Sequence, residues 1–225
     1  MYSLLVADDH PLFRDALQTV ISGGLANAHL LEAESLTAAI ALVEAHTELD
    51  LLLLDLSLPD AECLEGLTRL RDVFPWLPVA IVSAHQERQL VLDAITLGAV
   101  GYIPKSTPRE TLLAALTQIL EGQLYLPPDV MRRPAPRAVL APSTANASTA
   151  NERLSRLTNK QLDVLGCMAK GMSNKQIARE LVIAETTVKT HVSAILRKLN
   201  ATSRVHAIVI AGEEDLPFYQ ANRAH

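Results

Sequence analysis

Five short apolar runs alternate with five segments of helical period across residues 1–121, and this alternation limits the fold more than any other feature of the chain. The runs are Ser3–Ala7, His29–Glu34, Asp50–Leu54, Val79–Ser83 and Val100–Ile103. Leu12–Ile21, Leu36–His46, Leu64–Phe74 and Gln86–Leu97 lie between them, and Arg109–Glu121 follows the last. Parallel strands need crossover connections, and helices are the usual ones, so the pattern predicts a doubly wound α/β domain with helices on both faces of a five-stranded parallel sheet. Leu51–Leu54, four leucines in succession, fits a central strand buried on both sides. Pro11, Pro75, Pro78 and Pro108 stand at the expected element boundaries.

The rest of the chain differs. Pro134, Pro136 and Pro142 break any helix, and Ser143–Asn151 is small and polar, so residues 123–153 read as a linker, either mobile or packed on one domain. Beyond it the pattern is helical, with Thr158 and Ser173 as caps, Gly171 as a stop, and later helices from about Glu185 to Leu199 and from after Ser203 to Ala211. The net charge of −5 hides a division: residues 1–126 sum to −11 and residues 127–225 to +6. Two domains with different partners are expected, at 1–122 and 154–215. Two cysteines, Cys63 and Cys167, exclude a disulfide framework and a Cys-rich zinc site. No stretch reads as a secretory signal or a membrane span, so a cytoplasmic protein with no membrane partner is expected.

In a doubly wound sheet, ligands bind at the carboxyl ends of the strands. Asp8 and Asp9 follow the first strand, Asp55 follows the third, Ser83 ends the fourth, and Lys105 closes the fifth. Crowded carboxylates repel one another unless a cation intervenes. Hard oxygen donors suit Mg2+, and a carboxylate beside Mg2+ and Lys is equipped to attack a phosphoryl group.

The stretches Leu5-Val6-Ala7-Asp8-Asp9-His10, Leu54-Asp55-Leu56-Ser57-Leu58-Pro59, Val82-Ser83-Ala84 and Gly101-Tyr102-Ile103-Pro104-Lys105 resemble the receiver domains of bacterial response regulators over residues 1 to about 122. The resemblance implies a flavodoxin-like (βα)5 domain in which a sensor histidine kinase phosphorylates Asp55. It implies that Asp8, Asp9, Asp55 and the Ser57 backbone carbonyl hold Mg2+. Lys105 would pair with a phosphoryl oxygen, Ser83 would move to hydrogen-bond the phosphoryl group, and Tyr102 would turn inward behind it. Cys63 stands where the family usually has Gly, which bears on the shape of the loop after Asp55.

From Arg153 to His206 there are 10 basic and 3 acidic residues, and two short helices joined at Val182–Ala184 fit a helix-turn-helix. Val188, Val192, Ile195 and Leu199 form one apolar stripe. Lys189, Ser193 and Arg197, with Thr186 and Thr190 beside them, are read as a second face, basic and free of carboxylates, for a DNA major groove. On this reading Lys189 meets a base edge, while Arg197 and Lys198 meet phosphates. The alternative is an ordinary solvated basic face.

Leu157-Thr158, Val164-Leu165, Gly171 to Ala178, Thr187 to Val192 and Leu196 to Leu199 resemble the LuxR-type helix-turn-helix, from about Leu154 to Ala211. With the receiver, the chain resembles a response regulator of the NarL/FixJ type with a four-helix DNA-binding domain. The resemblance puts base contacts mainly on the helix of Lys189, Thr190 and Ser193. Ser173, Asn174, Lys175, Thr187 and Arg204 complete the expected DNA-contacting set. Gln161 replaces a usual Glu, and Ala184 replaces a usual Ser or Thr cap, giving up about 1 kcal/mol. Ala207–Ala211 is apolar all round, which suggests pairing of two such domains through Val205, Ile208, Val209 and Ile210. The alternative is packing against the receiver or the tail of Leu216, Phe218 and Tyr219.

These readings lead to a non-enzymatic, phosphorylation-switched regulator of transcription. Its expected partners are a sensor kinase, double-stranded promoter DNA, RNA polymerase and, once phosphorylated, a second copy of itself. A phosphatase using Asp55 is the main rival, but Ser57 stands where that class needs a general acid. A regulator that binds DNA whatever its phosphorylation state is another.

Overall fold

The computed structural model describes residues 2–128 and 153–212. Most of the expected linker and the tail beyond Gly212, with Leu216, Phe218 and Tyr219, lie outside the described residues. The chain divides into two compact units, 1–127 and 128–225.

The first unit alternates as the sequence predicts: β1 (Tyr2–Ala7), α1 (Pro11–Gly24), β2 (Ala28–Ala33), α2 (Leu36–Ala45), β3 (Leu51–Leu54), α3 (Glu65–Val73), β4 (Val79–Ser83), α4 (Arg88–Thr96), β5 (Gly101–Pro104) and α5 (Arg109–Leu120). The strands form one parallel sheet in the order β2-β1-β3-β4-β5. Side chains alternate across a strand, so Leu4, Val6, Leu51, Leu53, Ala80, Val82 and Ile103 share one face. They pack with Leu17 and Ile21 of α1 and with Leu112, Ala115, Leu116 and Ile119 of α5. Leu5, Leu52, Leu54, Ile81 and Tyr102 take the other face and are equally buried. Every residue of β3 is buried, as the run of leucines requires.

The second unit is helical among the described residues: α6 (Asn159–Ala169), α7 (Asn174–Glu180), α8 (Glu185–Leu199) and α9 (Arg204–Gly212). Thr158 and Ser173 each cap through a reciprocal pair with the Gln three residues on, Gln161 and Gln176. Such a pair satisfies two otherwise orphaned N–H groups. Gly171 ends α6 with φ of +77°. Ala184 caps nothing with its side chain. Val188, Val192, Ile195 and Leu199 of α8 are buried against α6, α7 and α9, as their spacing implies. No described helix is long and apolar enough to cross a membrane.

Candidate functional site

The parallel sheet directs the carboxyl ends of β1, β3, β4 and β5 to one edge, and the acidic cluster forms there. Asp8 and Asp55 are buried, at 1% and 3% exposure, while Asp9 stays exposed. Lys105 Nζ lies 2.8 Å from Asp8 Oδ2 and 2.8 Å from Asp55 Oδ2, so one ammonium bridges two carboxylates. It also sits 4.9 Å from the centroid of the Phe13 ring. Burial alone would lower the Lys105 pKa; the hydrogen bonds and charges of Asp55 and Asp8 outweigh it and hold the ammonium above its ordinary value. Asp55 Oδ1 is buried and accepts no hydrogen bond from any described residue.

The loops around the cluster are tied down locally. Arg14 donates to the Asp8 carbonyl at 2.7 Å and to Glu32 Oε2 at 2.9 Å. Asp60, in the loop after Asp55, accepts from Leu36 N, Thr37 N and Thr37 Oγ1 at the start of α2, at 2.7, 2.8 and 2.8 Å. Cys63 adopts φ of +47°, the left-handed backbone that glycine ordinarily supplies. Ser57 is exposed in the loop that follows Asp55. Ser83 is fully buried, and its Oγ accepts from His85 N at 3.2 Å. Tyr102 is also fully buried and points inward, its hydroxyl donating to the His85 carbonyl at 2.8 Å. Burial raises the Tyr102 pKa above its usual value, a hydrogen bond with Ser83 opposing it. Asp8, Asp9, Asp55 and His10 each offer one ligand atom within 4.8 Å of the others. Sequence reasoning passed over His10, Phe13, Arg14 and Asp60; only His10 carried a signal, as a ligand-type residue directly after the acidic pair.

The donor set fits Mg2+: three carboxylates give hard oxygens, and the buried Asp55 Oδ1 has a free lone pair.

In the second unit the outward face of α8 is narrower than expected. Thr186, Thr187, Thr190 and Arg197 are exposed. Ser193 is half-buried and donates to the Lys189 carbonyl at 3.1 Å. Lys189, expected on the outward face, is 5% exposed, and its Nζ lies 3.3 Å from Glu185 Oε1. The reason is rotational: Leu196, seven residues on, lies on nearly the same line of the helix and is buried, so the apolar stripe is wide enough to include Lys189. Glu185 likewise corrects the expectation that this face lacks a carboxylate.

Four further residues expected to meet DNA, Lys198, Arg204, Asn174 and Ser173, are engaged within the domain. Lys198 donates to the Arg156 carbonyl at 2.9 Å and to Gln161 Oε1 at 2.8 Å. Arg204 donates to the Met172 carbonyl and to Asn174 Oδ1, and burial lowers its pKa to about 10. Ser173 is occupied by its cap, and Lys175 is half-buried at the start of α7. On α9, Val205 and Val209 are exposed and Ile208 is half-buried. Ile210, expected at a dimer face, instead packs in the domain's own core with Ala207 and Ala211.

Residues 4–117 match the family described as response regulator receiver domain, and residues 155–211 match bacterial regulatory proteins of the luxR family. The chain belongs to the response regulators of the NarL/FixJ type, two-component DNA-binding regulators of transcription. The glycerol metabolism activator of Pseudomonas putida is 52% identical over 219 residues, 97% of this chain and 99% of its own length. The nitrate/nitrite response regulator protein NarL of Escherichia coli (strain K12) is 36% identical over 213 residues, 94% of this chain and 95% of its own. A solved LuxR-family two-component response regulator from Aurantimonas sp. SI85-9A1 is 28% identical, with a TM-score of 0.53, over 57% of this chain and 91% of that one.

Proposed function

We propose that Asp55 accepts a phosphoryl group from the phosphohistidine of a sensor kinase and that this switches dimerisation and promoter binding. The observation that carries the reading is the buried Asp55 carboxylate, with Oδ2 on the Lys105 ammonium and Oδ1 without a hydrogen bond. One oxygen of the Asp55 carboxylate is the nucleophile: its bond to phosphorus forms as the histidine nitrogen–phosphorus bond breaks. Asp8, Asp9, Asp55 and the Ser57 carbonyl would hold Mg2+, which would supply positive charge to the phosphoryl oxygens. Lys105 stays in place to pair with a further oxygen. The product carries about −1.5 to −2 charges, by analogy with other phosphorylated side chains. Ser83 Oγ is a short donor at the same strand edge, and the Tyr102 hydroxyl behind it tracks the β4–α4 loop through His85. Movement of Ser83 toward the phosphoryl group then biases a two-state receiver surface.

In the DNA-binding domain, Thr186, Thr187, Thr190 and Arg197 form the groove-facing surface, with Ser193 at its edge. Pairing of two domains uses the exposed Val205 and Val209 with Ile208 beside them. The bound dimer recruits RNA polymerase at promoters. The 52% identity to a protein described as a metabolism activator supports activation rather than repression, and a cytoplasmic setting follows from DNA as the partner.

Acetyl phosphate with Mg2+ adds one phosphoryl group to the full chain, read by intact mass, and none to Asp55→Asn. Labelling of that variant at the normal rate overturns the assignment. Sedimentation shows more dimer after phosphorylation, and promoter affinity rises with it. Equal affinity with and without the phosphodonor would establish a regulator indifferent to phosphorylation.

A further inference from the structure

Helix α5 ends at Leu120, and the chain then turns back along the sheet. Gly122 takes φ of +89°, a left-handed turn that glycine makes without steric cost. Gln123 N donates to the Gln118 carbonyl at 3.0 Å, and Gln118 Nε2 donates to the Leu124 carbonyl at 2.9 Å, so the last turn of α5 holds the reversal twice. Tyr125 then lies parallel to β5 at its free edge, opposite Gly101. Tyr102 N donates to the Tyr125 carbonyl at 3.0 Å, and Tyr125 N donates to the Val100 carbonyl at 3.3 Å. Gly101 leaves the space for this approach: a Cβ there would stand 2.7 Å from Ile119 Cδ1 and 3.4 Å from the Tyr125 carbonyl oxygen. Pro127 and Pro128 have no N–H to offer, so the pairing cannot run on.

Tyr102 is therefore attached at both ends. Its hydroxyl holds the His85 carbonyl in the β4–α4 loop, while its backbone N–H holds Tyr125. The strand order sets the direction of any pull. Asp55 follows β3, Ser83 ends β4, Tyr102 lies on β5 and Tyr125 beyond it, in that order across the sheet. Ser83 Oγ also holds His85 N, at 3.2 Å. When Ser83 gives up that bond for a phosphoryl group on Asp55, the loop and the hydroxyl bonded to it are drawn toward β3, away from the free edge. A pairing of so few bonds at a sheet edge is of the kind that opens locally while the rest of the fold stays closed.

We propose that residues 124–127 are the output latch of the receiver: they are held on β5 in the unphosphorylated chain and let go when Tyr102 is drawn toward β3. The latch restrains DNA binding until it opens, because it fixes the start of the segment that leads to the DNA-binding domain. The inference rests on phosphorylation of Asp55 as the switch, and it names the route by which the signal leaves the receiver.

The test uses the full chain and a duplex that it selects from random sequence. Hydrogen exchange, followed by mass spectrometry on peptides spanning residues 99–104 and 121–127, speeds up in both when the wild type is treated with acetyl phosphate and Mg2+. Tyr102→Phe, compared at equal phosphoryl content, lacks that response. Gln118→Leu removes the donor to Leu124 and loosens the latch without phosphorylation. Its unphosphorylated form binds the duplex about fivefold or more tighter than the wild type, the low end of coupling between linked sites, and phosphorylation adds little further. Gln118→Lys keeps a donor and returns to wild-type behaviour, which a mere loss of packing would not allow. Tyr125→Pro, which removes the N–H bonded to Val100, gives the same result as Gln118→Leu and stands in for it if that variant folds poorly. Exchange that is unchanged or slowed in the phosphorylated wild type overturns the proposal, as does wild-type affinity in the unphosphorylated latch variants. If intact mass shows no phosphoryl group on the wild type, the Asp55 reading falls, and the affinities of the unphosphorylated variants still decide this one.

Discussion

The ammonium of Lys189 lies 3.3 Å from Glu185 Oε1, one turn back on the same helix, and both atoms sit at the edge of the domain's core. The lysine covers apolar surface with its stem and neutralises a carboxylate with its tip. Lys189→Ala leaves that carboxylate unpaired, and the domain loses about 1–3 kcal/mol in urea denaturation. Removing Glu185 as well recovers part of the loss, and a double-mutant cycle measures the coupling. On DNA, Lys189→Ala weakens specific and random duplexes in equal proportion. Loss of preference at one base pair alone would put the ammonium in the groove.

Arg197 and Lys198 are neighbours in sequence with different duties. Arg197 is exposed on α8, whereas Lys198 is held by the Arg156 carbonyl and Gln161. Arg197→Ala weakens binding to all sequences and lowers the salt dependence by about one unit, the signature of a lost phosphate contact. Lys198→Ala lowers stability and leaves the salt slope nearly intact. Titrations at several salt concentrations separate the two, and a full unit of slope lost with Lys198 would contradict its internal role.

Lys105 compensates two buried carboxylates at once. Replacing it with Met leaves Asp8 and Asp55 to repel each other, at a cost of about 3 kcal/mol to the receiver without metal. A bound dication restores neutrality, so Mg2+ raises the thermal midpoint of Lys105→Met more than that of the wild type. An equal rise in both proteins would show that the ammonium and the metal do not share this duty.

The gathering of Asp8, Asp9, Asp55, Ser83 and Lys105 was legible because parallel strand order alone sends those chain positions to one edge. Leu51–Leu54 named the central strand, and Thr158 and Ser173 named their helices, because caps and buried runs are local signals. Lys189 was misplaced because a helical stripe read from Val188, Val192, Ile195 and Leu199 gives its centre but not its width. Leu196 sets that width, and its burial depends on the packing of α8. Arg204 and Ile210 were misread for a related reason: their partners, Met172 and the α6–α8 core, are distant in sequence. Asp60 was invisible because the N–H groups it caps lie 23 and 24 residues away.

Asp60 makes a pH-dependent contribution. Slight burial would raise its pKa, but the N–H groups of Thr37 and Leu36 and the Thr37 hydroxyl outweigh it and hold the carboxyl below the usual range. A depressed folded pKa means stability that is present above the unfolded value, near 4, and lost as pH falls through the folded one. Asp60→Asn therefore lowers the receiver's stability at neutral pH and narrows the gap to the wild type as pH drops below about 4. Thermal melts across that range check it, and a gap that stays constant would mean the carboxylate charge is not involved.

Val182 follows α7 with φ of +51° and is 88% exposed. Two hydrogen bonds close the helix across it, Ile183 N to the Ala178 carbonyl at 3.0 Å and Val182 N to the Arg179 carbonyl at 3.4 Å. This is the Schellman arrangement, whose left-handed position glycine or asparagine normally fills. A β-branched side chain there carries a steric cost of about 1–2 kcal/mol and recovers almost nothing through burial. Glycine removes the strain but loosens the unfolded chain, offsetting part of the gain. Asparagine keeps much of the unfolded-state restriction and tolerates the backbone. Val182→Asn therefore stabilises the helix-turn-helix domain by about 1 kcal/mol, and Val182→Gly by no more than that. Urea midpoints followed by helical circular dichroism give both numbers. A destabilised asparagine variant would show that the exposed valine makes a contact in the intact protein that outweighs its backbone strain.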